Sequence, residues 1–165
     1  MRGELGEVLK SATSGHWRPS ASGAHASTAP PQRPFMDMET LVIELQLNDR
    51  ELDVTTVEKL GAALDVADAE EAFELWASVP TGPAMSMLRN GSSAWLMYLR
   101  EPGDSGLRSS GNESRPGVAA YRLSNGQVDE YPLSWCIDVE QCYKAIAYFC
   151  VNGGAKPAWV DWIPS

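Results

Sequence analysis

The side chains most often used for acid–base and nucleophilic chemistry are sparse in most of this chain. Both histidines, His16 and His25, lie near the N-terminus, and residues 38 to 165 contain none. Ser-His-Asp catalysis, Cys-His catalysis and the usual transition-metal sites need histidine, so they are excluded from that region. A Ser-Lys or a carboxylate-only mechanism stays formally open. We therefore predict a protein that is not an enzyme and that holds no metal or cofactor.

The cysteines do not form a pattern typical of a metal site or of a disulfide scaffold. Cys136, Cys142 and Cys150 are odd in number and include no CxxC pair. Cys142 and Cys150 fall on the apolar side of a predicted helix, where a buried thiol behaves as a small hydrophobic group. This use of cysteine favours a reducing, cytoplasmic setting.

Two adjacent pairs of carboxylates are of the residue type that acid–base chemistry needs. Asp129 and Glu130 lie on a predicted strand, so their side chains point to opposite faces and cannot share one reacting bond. Glu70 and Glu71 are expected in the first turn of a helix, where the helix dipole favours negative charge. Neither pair therefore predicts a catalytic site.

Residues 101 to 116 form a predicted loop that is dense in glycine, serine and charge. Its glycines, Gly103, Gly106 and Gly111, match neither a P-loop nor a GxGxxG phosphate cradle. Asp104 and Glu113 do not follow the spacing of an EF-hand calcium loop. The length and composition of the loop are typical of a binding surface carried on a rigid sheet.

The charge of the chain indicates what such a surface can attract. The formal net charge is −9, and residues 38 to 165 carry 9 basic and 19 acidic side chains. This field repels nucleic acid and membrane surfaces and attracts basic partners. No apolar run reaches the roughly 18 residues of a membrane span, so no membrane association is predicted.

Strand patterns predict a mainly antiparallel sheet of about five strands. The segments with alternating or continuous apolar residues are 41–47, 85–90, 93–100, 117–123 and 128–133. Asn125-Gly126 joins the last two and favours a type I′ turn, because both residues accept positive φ angles. Pro132 lacks an N–H, so the second strand of this hairpin ends there or lies at an edge. Residues 158–164 are predicted as a short strand or a packed tail.

Two short helices are predicted between the first and second strands. Thr55 and Glu58 form a capping-box pair before the first of them. Asp68 and Glu71 repeat this pair before the second, whose apolar face would carry Ala69, Ala72, Phe73 and Trp76.

A longer C-terminal helix should pack on one face of the sheet. Asp138 is its predicted cap and Gly153 its predicted stop. Its buried stripe is Val139, Cys142, Tyr143, Ile146, Phe149 and Cys150. Because the helices are clustered and do not alternate with strands, the predicted class is α+β.

The N-terminal part differs in composition from the rest. Residues 11 to 37 are rich in serine, alanine, glycine and proline, which predicts disorder. Either Met36 or Met38 is a candidate for the true start of a single domain over residues 38 to 165. Residues 1 to 37 would then be a translated upstream stretch or a linker; the rival interpretation is a tether to a further domain.

A series of short motifs runs from Tyr98 to Trp162. In order, they are Tyr98-Leu99-Arg100, Gly103-Asp104, Ser110-Gly111-Asn112, Tyr121, Val128-Asp129-Glu130, the helix at 139–149 and the ending Lys156-Pro157-Ala158-Trp159-Val160-Asp161-Trp162. Their order and spacing resemble the immunity protein 1 family of bacterial polymorphic toxin systems, and residues 38 to 97 fit by layout. The resemblance implies a cytoplasmic protein without catalytic activity that neutralises a secreted toxin. Such toxins are often nucleic-acid deaminases, and nucleases also occur.

Occlusion is the mechanism that charge and resemblance together suggest. A toxin that acts on nucleic acid has a basic, concave site, and an acidic rigid surface can be steered to it and cover it. Tryptophan beside acidic side chains is typical of a protein-binding hot spot, and Trp135, Trp159 and Trp162 are the candidates for exposure. The predicted toxin-binding residues are Asp104, Asn112, Glu113, Asp129, Glu130 and Trp135.

Two other functions stay open. A protein-interaction adaptor unrelated to toxins explains the acidity and the missing catalytic groups equally well. Gene neighbourhood separates these two, because an immunity protein should be encoded directly downstream of a large secreted toxin. An enzyme with a carboxylate-based or cofactor-borne mechanism would instead show a deep pocket with several convergent carboxylates.

Overall fold

A computed structural model describes residues 40 to 165, so the predictions for residues 1 to 37 lie outside the described residues. The strands are β1 (Glu44–Leu47), β2 (Arg50–Leu52), β3 (Ala72–Ser78), β4 (Ala84–Asn90), β5 (Ser93–Leu99), β6 (Leu107–Ser109), β7 (Val118–Arg122), β8 (Val128–Pro132) and β9 (Trp162–Pro164). The helices are α1 (Val57–Glu70) and α2 (Val139–Val151), with a 3-10 turn at Leu133–Trp135. The α+β class is confirmed. No helix in this part of the chain is long and apolar enough to cross a membrane.

The main sheet is antiparallel throughout, as predicted, but it has seven strands and not about five. Their order is β2-β1-β3-β4-β5-β6-β9, and β7 and β8 form a separate two-stranded hairpin. β2 and β6 were missed because each has only three residues, which is too short for an alternating pattern to show. β9 answers the open question about residues 158–164, since its three residues pair with β6.

The prediction of a second helix after the first strand is wrong. Residues Ala72–Ser78 form β3, in which Phe73, Leu75 and Ala77 are buried at alternate positions. β3 pairs with β1 on one side and along its whole length with β4 on the other. These two ladders satisfy the backbone of β3 and outweigh the helical spacing of its apolar residues.

The single helix in this region, α1, also begins and ends differently from the prediction. Its N-cap is Thr56, whose Oγ1 accepts a hydrogen bond of 3.2 Å from Lys59 N, so the capping pair is not Thr55 and Glu58. Glu70 is the last residue of α1, and Glu71 is its C-cap with a left-handed φ of 60°. These two carboxylates therefore lie at the end of a helix and not in a first turn.

The hairpin of β7 and β8 lies where it was predicted, but its turn is of another type. Leu123 N donates to Gln127 O at 2.8 Å, which leaves a three-residue loop. Gly126 has a φ of 88°, whereas Asn125 is not among the residues with positive φ, so the turn is not type I′. A three-residue loop with glycine in the left-handed position needs one such residue and not two. β8 ends at Pro132, as the missing N–H requires.

The C-terminal helix α2 follows the prediction closely. Asp138 occupies the N-cap position without a capping hydrogen bond from its side chain, and the helix ends at Val151, before Gly153. The predicted stripe is buried except for Val139, which is partly buried at the edge of the core. With 13 residues, α2 is not longer than α1, which has 14.

Both helices pack on one face of the main sheet and enclose the larger hydrophobic core. The sheet residues that fill this core are Leu45, Leu47, Phe73, Leu75, Ala77, Met85, Met87, Ala94, Leu96 and Tyr98. Full burial of a large aliphatic or aromatic side chain stabilises a fold by roughly 1.5–3 kcal/mol. The two helices therefore close this face of the sheet and leave the opposite face available to a partner.

One charged residue, Arg89 of β4, lies within the helix-covered face. Its Nη1 donates to Asp68 Oδ1 at 2.8 Å and lies 3.0 Å from Tyr143 Oη, which in turn donates to Asp68 Oδ1 at 3.2 Å. Asp68 belongs to α1 and Tyr143 to α2. Burial raises the pKa of Tyr143, so the phenol stays neutral beside this ion pair. The cluster connects both helices to the sheet.

We predict that Arg89→Met destabilises the protein strongly. The substitution leaves the buried Asp68 carboxylate without its cation, and breaking a buried ion pair costs about 3–5 kcal/mol. Chemical denaturation measures the free energy of unfolding. The double variant Arg89→Met/Asp68→Leu should recover most of the loss, because it removes both charges. Equal stability of Arg89→Met and the unmodified protein would contradict this account.

Candidate functional site

The second face of the main sheet, which the helices do not cover, carries the candidate site. A register row crosses this face through Gln46, Trp76, Ser86, Met97, Arg108 and Ile163. The hairpin of β7 and β8 packs over the neighbouring row, at Leu88 and Trp95. The face is therefore divided into a part under the hairpin and an open part beside it.

The hairpin is held on the sheet by a second, aromatic core. Tyr121 is buried against Leu88 and Trp95, and the ring centroid of Tyr131 lies 4.7 Å from that of Trp95. The indole N–H of Trp95 is buried without a hydrogen-bond partner among the described residues. Aromatic packing holds this side of the hairpin, together with the hydrogen bond of 3.3 Å between Tyr121 Oη and Cys136 Sγ.

Hydrogen bonds attach the hairpin to the sheet at the middle of β7 and at the turn. Asn90 Nδ2 donates to Ala120 O at 2.8 Å, and Ser124 N in the turn donates to Glu74 Oε1 at 2.9 Å. Glu74 lies on β3 and Asn90 at the end of β4. The hairpin is thus attached to the two central strands of the sheet.

Trp135, a predicted binding residue, is half-buried at the border of the aromatic core. The ring centroid of Trp135 lies 5.1 Å from that of Trp95. The Arg108 guanidinium lies over the Trp135 ring, 4.5 Å from its centroid. The Trp135 carbonyl accepts a hydrogen bond of 2.9 Å from Ser109 Oγ. Of the three tryptophans considered for exposure, Trp159 is 41% exposed, whereas Trp135 and Trp162 are half-buried. Trp135 is therefore partly accessible to solvent while it packs against the core under the hairpin.

Asp129 and Glu130 point to opposite sides of β8, as predicted. Asp129 is half-buried and accepts hydrogen bonds from Gln127 Nε2 at 2.6 Å and Tyr131 Oη at 3.1 Å. Glu130 is exposed on the outer side of the hairpin. The Tyr131 ring also packs on Trp135, at a centroid distance of 5.5 Å, so Tyr131 contacts both predicted binding residues.

Asn112 and Glu113 lie together in an exposed turn after β6. Asn112 Oδ1 accepts hydrogen bonds from Ser114 N at 3.1 Å and Ser114 Oγ at 2.7 Å, and Ser110 Oγ donates to the Glu113 carboxylate. A groove of about 480 Å³ separates this turn from the start of α2. Its lining includes Asn112, Arg115, Asp138 and Gln141.

Asp104 lies apart from the other predicted residues, in the loop that precedes β6. Its carboxylate accepts three hydrogen bonds from Arg100, from the backbone N at 2.9 Å and from Nε and Nη2 at 2.8 Å each. These bonds hold the pKa of Asp104 well below its usual range. The Asp104 side chain is only 9% exposed, so its main interaction is within the loop.

The open part of the face contains a feature that the sequence analysis missed. A groove of about 190 Å³ is lined by Glu44, Gln46, Glu51, Trp76 and Ser78, and we call these five residues the acidic sheet face. The alternation of polar and apolar residues in β1 already indicates that Glu44 and Gln46 face away from the core, and it could have predicted part of this surface. Trp76 could not be added to them while its segment was predicted to be a helix.

The nucleophiles and metal-binding groups of the described residues offer little chemistry. Cys136, Cys142 and Cys150 are free and buried. Burial raises the pKa of Cys142 above its usual value and that of Cys150 to about 12, so both stay protonated thiols at neutral pH. Within residues 40 to 165, no three His, Cys, Asp or Glu side chains are grouped so that they could hold a metal ion.

We predict that Gly111→Ala disturbs the turn that carries Asn112 and Glu113. Gly111 N donates to Ser134 O at 2.8 Å, and a Cβ at Gly111 would lie 1.9 Å from Cys136 O. Such overpacking costs about 1–3 kcal/mol in the free energy of unfolding, which denaturant titration measures. Ser92→Ala in the same groove is the control and should change stability by less than about 0.5 kcal/mol. Similar stabilities for the two variants would contradict the close approach.

Comparison with known proteins agrees with the resemblance carried by Tyr98 to Trp162. A family model described as Immunity protein Imm1 matches residues 48–164. This range includes every predicted binding residue, both helices and all strands except β1. No curated protein matches the chain. Because the family model covers more than half of the sequence, the chain belongs to the Imm1 family of immunity proteins.

Proposed function

We propose that this protein binds a cognate secreted toxin in the bacterial cytoplasm and neutralises it by covering the toxin's basic active site. Membership of the Imm1 family over residues 48–164 is the observation that carries this proposal. The charge supports it, because residues 38 to 165 have 19 acidic and 9 basic side chains. The toxin is proposed to act on nucleic acid, as a deaminase or a nuclease, and the immunity protein to act without catalysis.

The proposed contact surface combines the hairpin with the turn after β6. Glu130 is exposed on the hairpin, and Asn112 and Glu113 are exposed in the turn. Trp135 and Asp129 are half-buried, so part of each side chain is accessible to a partner. Asp104 contributes mainly by fixing the shape of its loop, because its carboxylate is already paired with Arg100.

Occlusion by such a surface has a simple physical basis. A site that binds a phosphate backbone presents several lysine or arginine side chains, and its field attracts an acidic protein as it attracts the substrate. Complementary charge raises the association rate, while a few well-packed anchors slow dissociation. The rigid support under the hairpin favours tight binding, because little chain must be ordered when the complex forms.

The adaptor alternative explains the acidity but does not account for the family match. An adaptor unrelated to toxins would be expressed without a toxin gene beside it, and its deletion would not make the cell sensitive to that toxin. Deleting the gene while retaining the adjacent toxin gene distinguishes the two functions. Lethality that is rescued by the protein supplied from a plasmid supports the immunity function.

We predict that Glu113→Lys/Glu130→Lys abolishes protection when the protein is co-expressed with its toxin. Both carboxylates are exposed, so the folded structure should persist, while each new lysine meets a basic toxin surface. The dissociation constant should rise at least about tenfold, which corresponds to about 1.4 kcal/mol. Calorimetric titration of the purified proteins measures this change, and colony counts measure protection.

Glu58→Lys/Asp65→Lys is the matched control for this experiment. It makes the same change in net charge on α1, which lies on the other side of the sheet from the hairpin. We expect this control to retain protection. Full protection by the Glu113 and Glu130 variant, with thermal unfolding showing that it is folded, would place the contact surface elsewhere.

A further inference from the structure

The open part of the sheet face has the chemistry of a docking site for a cation. We propose that the acidic sheet face binds an arginine side chain that projects from the toxin surface. This inference rests on the proposed function and adds to it a second contact area, beside the hairpin, and the type of residue that occupies it.

The register of three strands brings the groups of this site together. Gln46 on β1 lies directly opposite Glu51 on β2 and Trp76 on β3, and Glu44 lies opposite Ser78. Directly paired side chains in a sheet have Cβ atoms about 4.5–5.5 Å apart, and diagonal neighbours are roughly 7–8 Å apart. Two carboxylates and an indole ring therefore surround the Gln46 position within the reach of one guanidinium group.

The carboxylates of this surface lack an internal cation. Within residues 40 to 165, the ion pairs use Asp53, Asp68, Glu70 and Asp104, and none uses Glu44 or Glu51. A second groove of about 300 Å³ adjoins the first through Glu44 and Ser78 and adds Glu101. Neither lining contains lysine or arginine. A cation from a partner would remove the repulsion between these neighbouring carboxylates.

Trp76 makes arginine a better occupant than lysine. The planar guanidinium stacks on an indole ring and donates hydrogen bonds to carboxylates at its edge, whereas an ammonium acts as a point charge. Trp76 Nε1 donates to Glu74 Oε2 at 3.1 Å, which fixes the orientation of the ring. The ring is half-buried and lines the groove, so part of it is open to a ligand.

The sheet edges are poor alternatives for docking, which favours the face. β2 has three residues and carries the charged side chains of Arg50 and Glu51, and β9 has three residues and ends at Pro164. Short, charged or proline-containing edge strands discourage the addition of a strand from another protein. A partner should therefore engage this part of the sheet through side chains.

The hairpin stands on the same side of the sheet, so one partner can contact both surfaces. Half-buried apolar side chains of β4, β5 and β9 also lie on this face, namely Ala84, Met97, Leu99 and Ile163. A protein interface of standard size buries about 800 Å² on each partner and combines an apolar centre with a polar rim. The acidic sheet face would form one part of that rim and hold one anchor.

Calorimetric titration of the purified toxin against the full chain tests this proposal. Glu44→Gln/Glu51→Gln removes both charges with little change in shape, and we expect the dissociation constant to rise at least about tenfold. Trp76→Phe keeps an aromatic ring and should have a smaller effect, whereas Trp76→Leu should weaken binding as much as the double variant. Glu58→Gln/Asp65→Asn on α1 is the matched control and should bind as the unmodified protein does.

A second measurement separates this proposal from the proposed function. The Trp76 indole N–H resonance of the isotopically labelled chain is followed during titration with a hexa-arginine peptide, with hexalysine for comparison. We expect the resonance to shift with hexa-arginine, less with hexalysine, and not in the Glu44→Gln/Glu51→Gln variant. If that variant binds the toxin with unchanged affinity, the docking site is wrong, although the proposed function stands because the unmodified chain binds. If the unmodified chain does not bind the toxin, the proposed function fails, and an unmoved Trp76 resonance then overturns the arginine site as well.

Discussion

The buried guanidinium of Arg89 is the point at which both helices and the sheet meet, and the layout of the molecule depends on it. A charge in this position must be paired, because an isolated ion in a protein interior is too costly. Asp68 near the end of α1 and Tyr143 on α2 supply its partners. α1 ends two residues after Asp68, Glu71 reverses the chain with a φ of 60°, and β3 begins at Ala72.

This constraint determines which surface is available for function. With both helices held on one face, β3 lies beside β1 and directs Trp76 to the other face. Glu74 then connects the two candidate surfaces, because its Oε1 accepts from Ser124 N of the hairpin turn and its Oε2 accepts from Trp76 Nε1. The hairpin and the acidic sheet face are thus positioned by the same carboxylate, which supports their action as one contact area.

A segment could be predicted correctly when its apolar residues fit either the helical spacing or the strand alternation, but not both. β4, β5, the hairpin and α2 fit only one, and all were predicted with nearly correct bounds. Residues 72–78 fit both, because Ala72, Phe73 and Trp76 have helical spacing while Phe73, Leu75 and Ala77 alternate. The choice is made by β1 and β4, which pair with the segment and are distant in sequence. Local pattern contains no information about such pairing, so Trp76 was assigned to a helix and the acidic sheet face was missed.

The net charge can be read from the sequence, whereas the pairing of each carboxylate depends on the fold. The acidity of the chain follows directly from its composition, but a carboxylate can serve a partner only if the fold has not already used it. Asp104 matched the composition of a binding loop, yet Arg100 takes both of its oxygens. Glu44 lies outside the predicted binding loop, yet the sheet places it in one groove with Trp76 and Glu51, and within residues 40 to 165 it has no ion-pair partner. For an acidic binding protein, the carboxylates that the fold leaves unpaired are therefore the first candidates for a contact with a basic partner, because they need not break an internal ion pair to bind it.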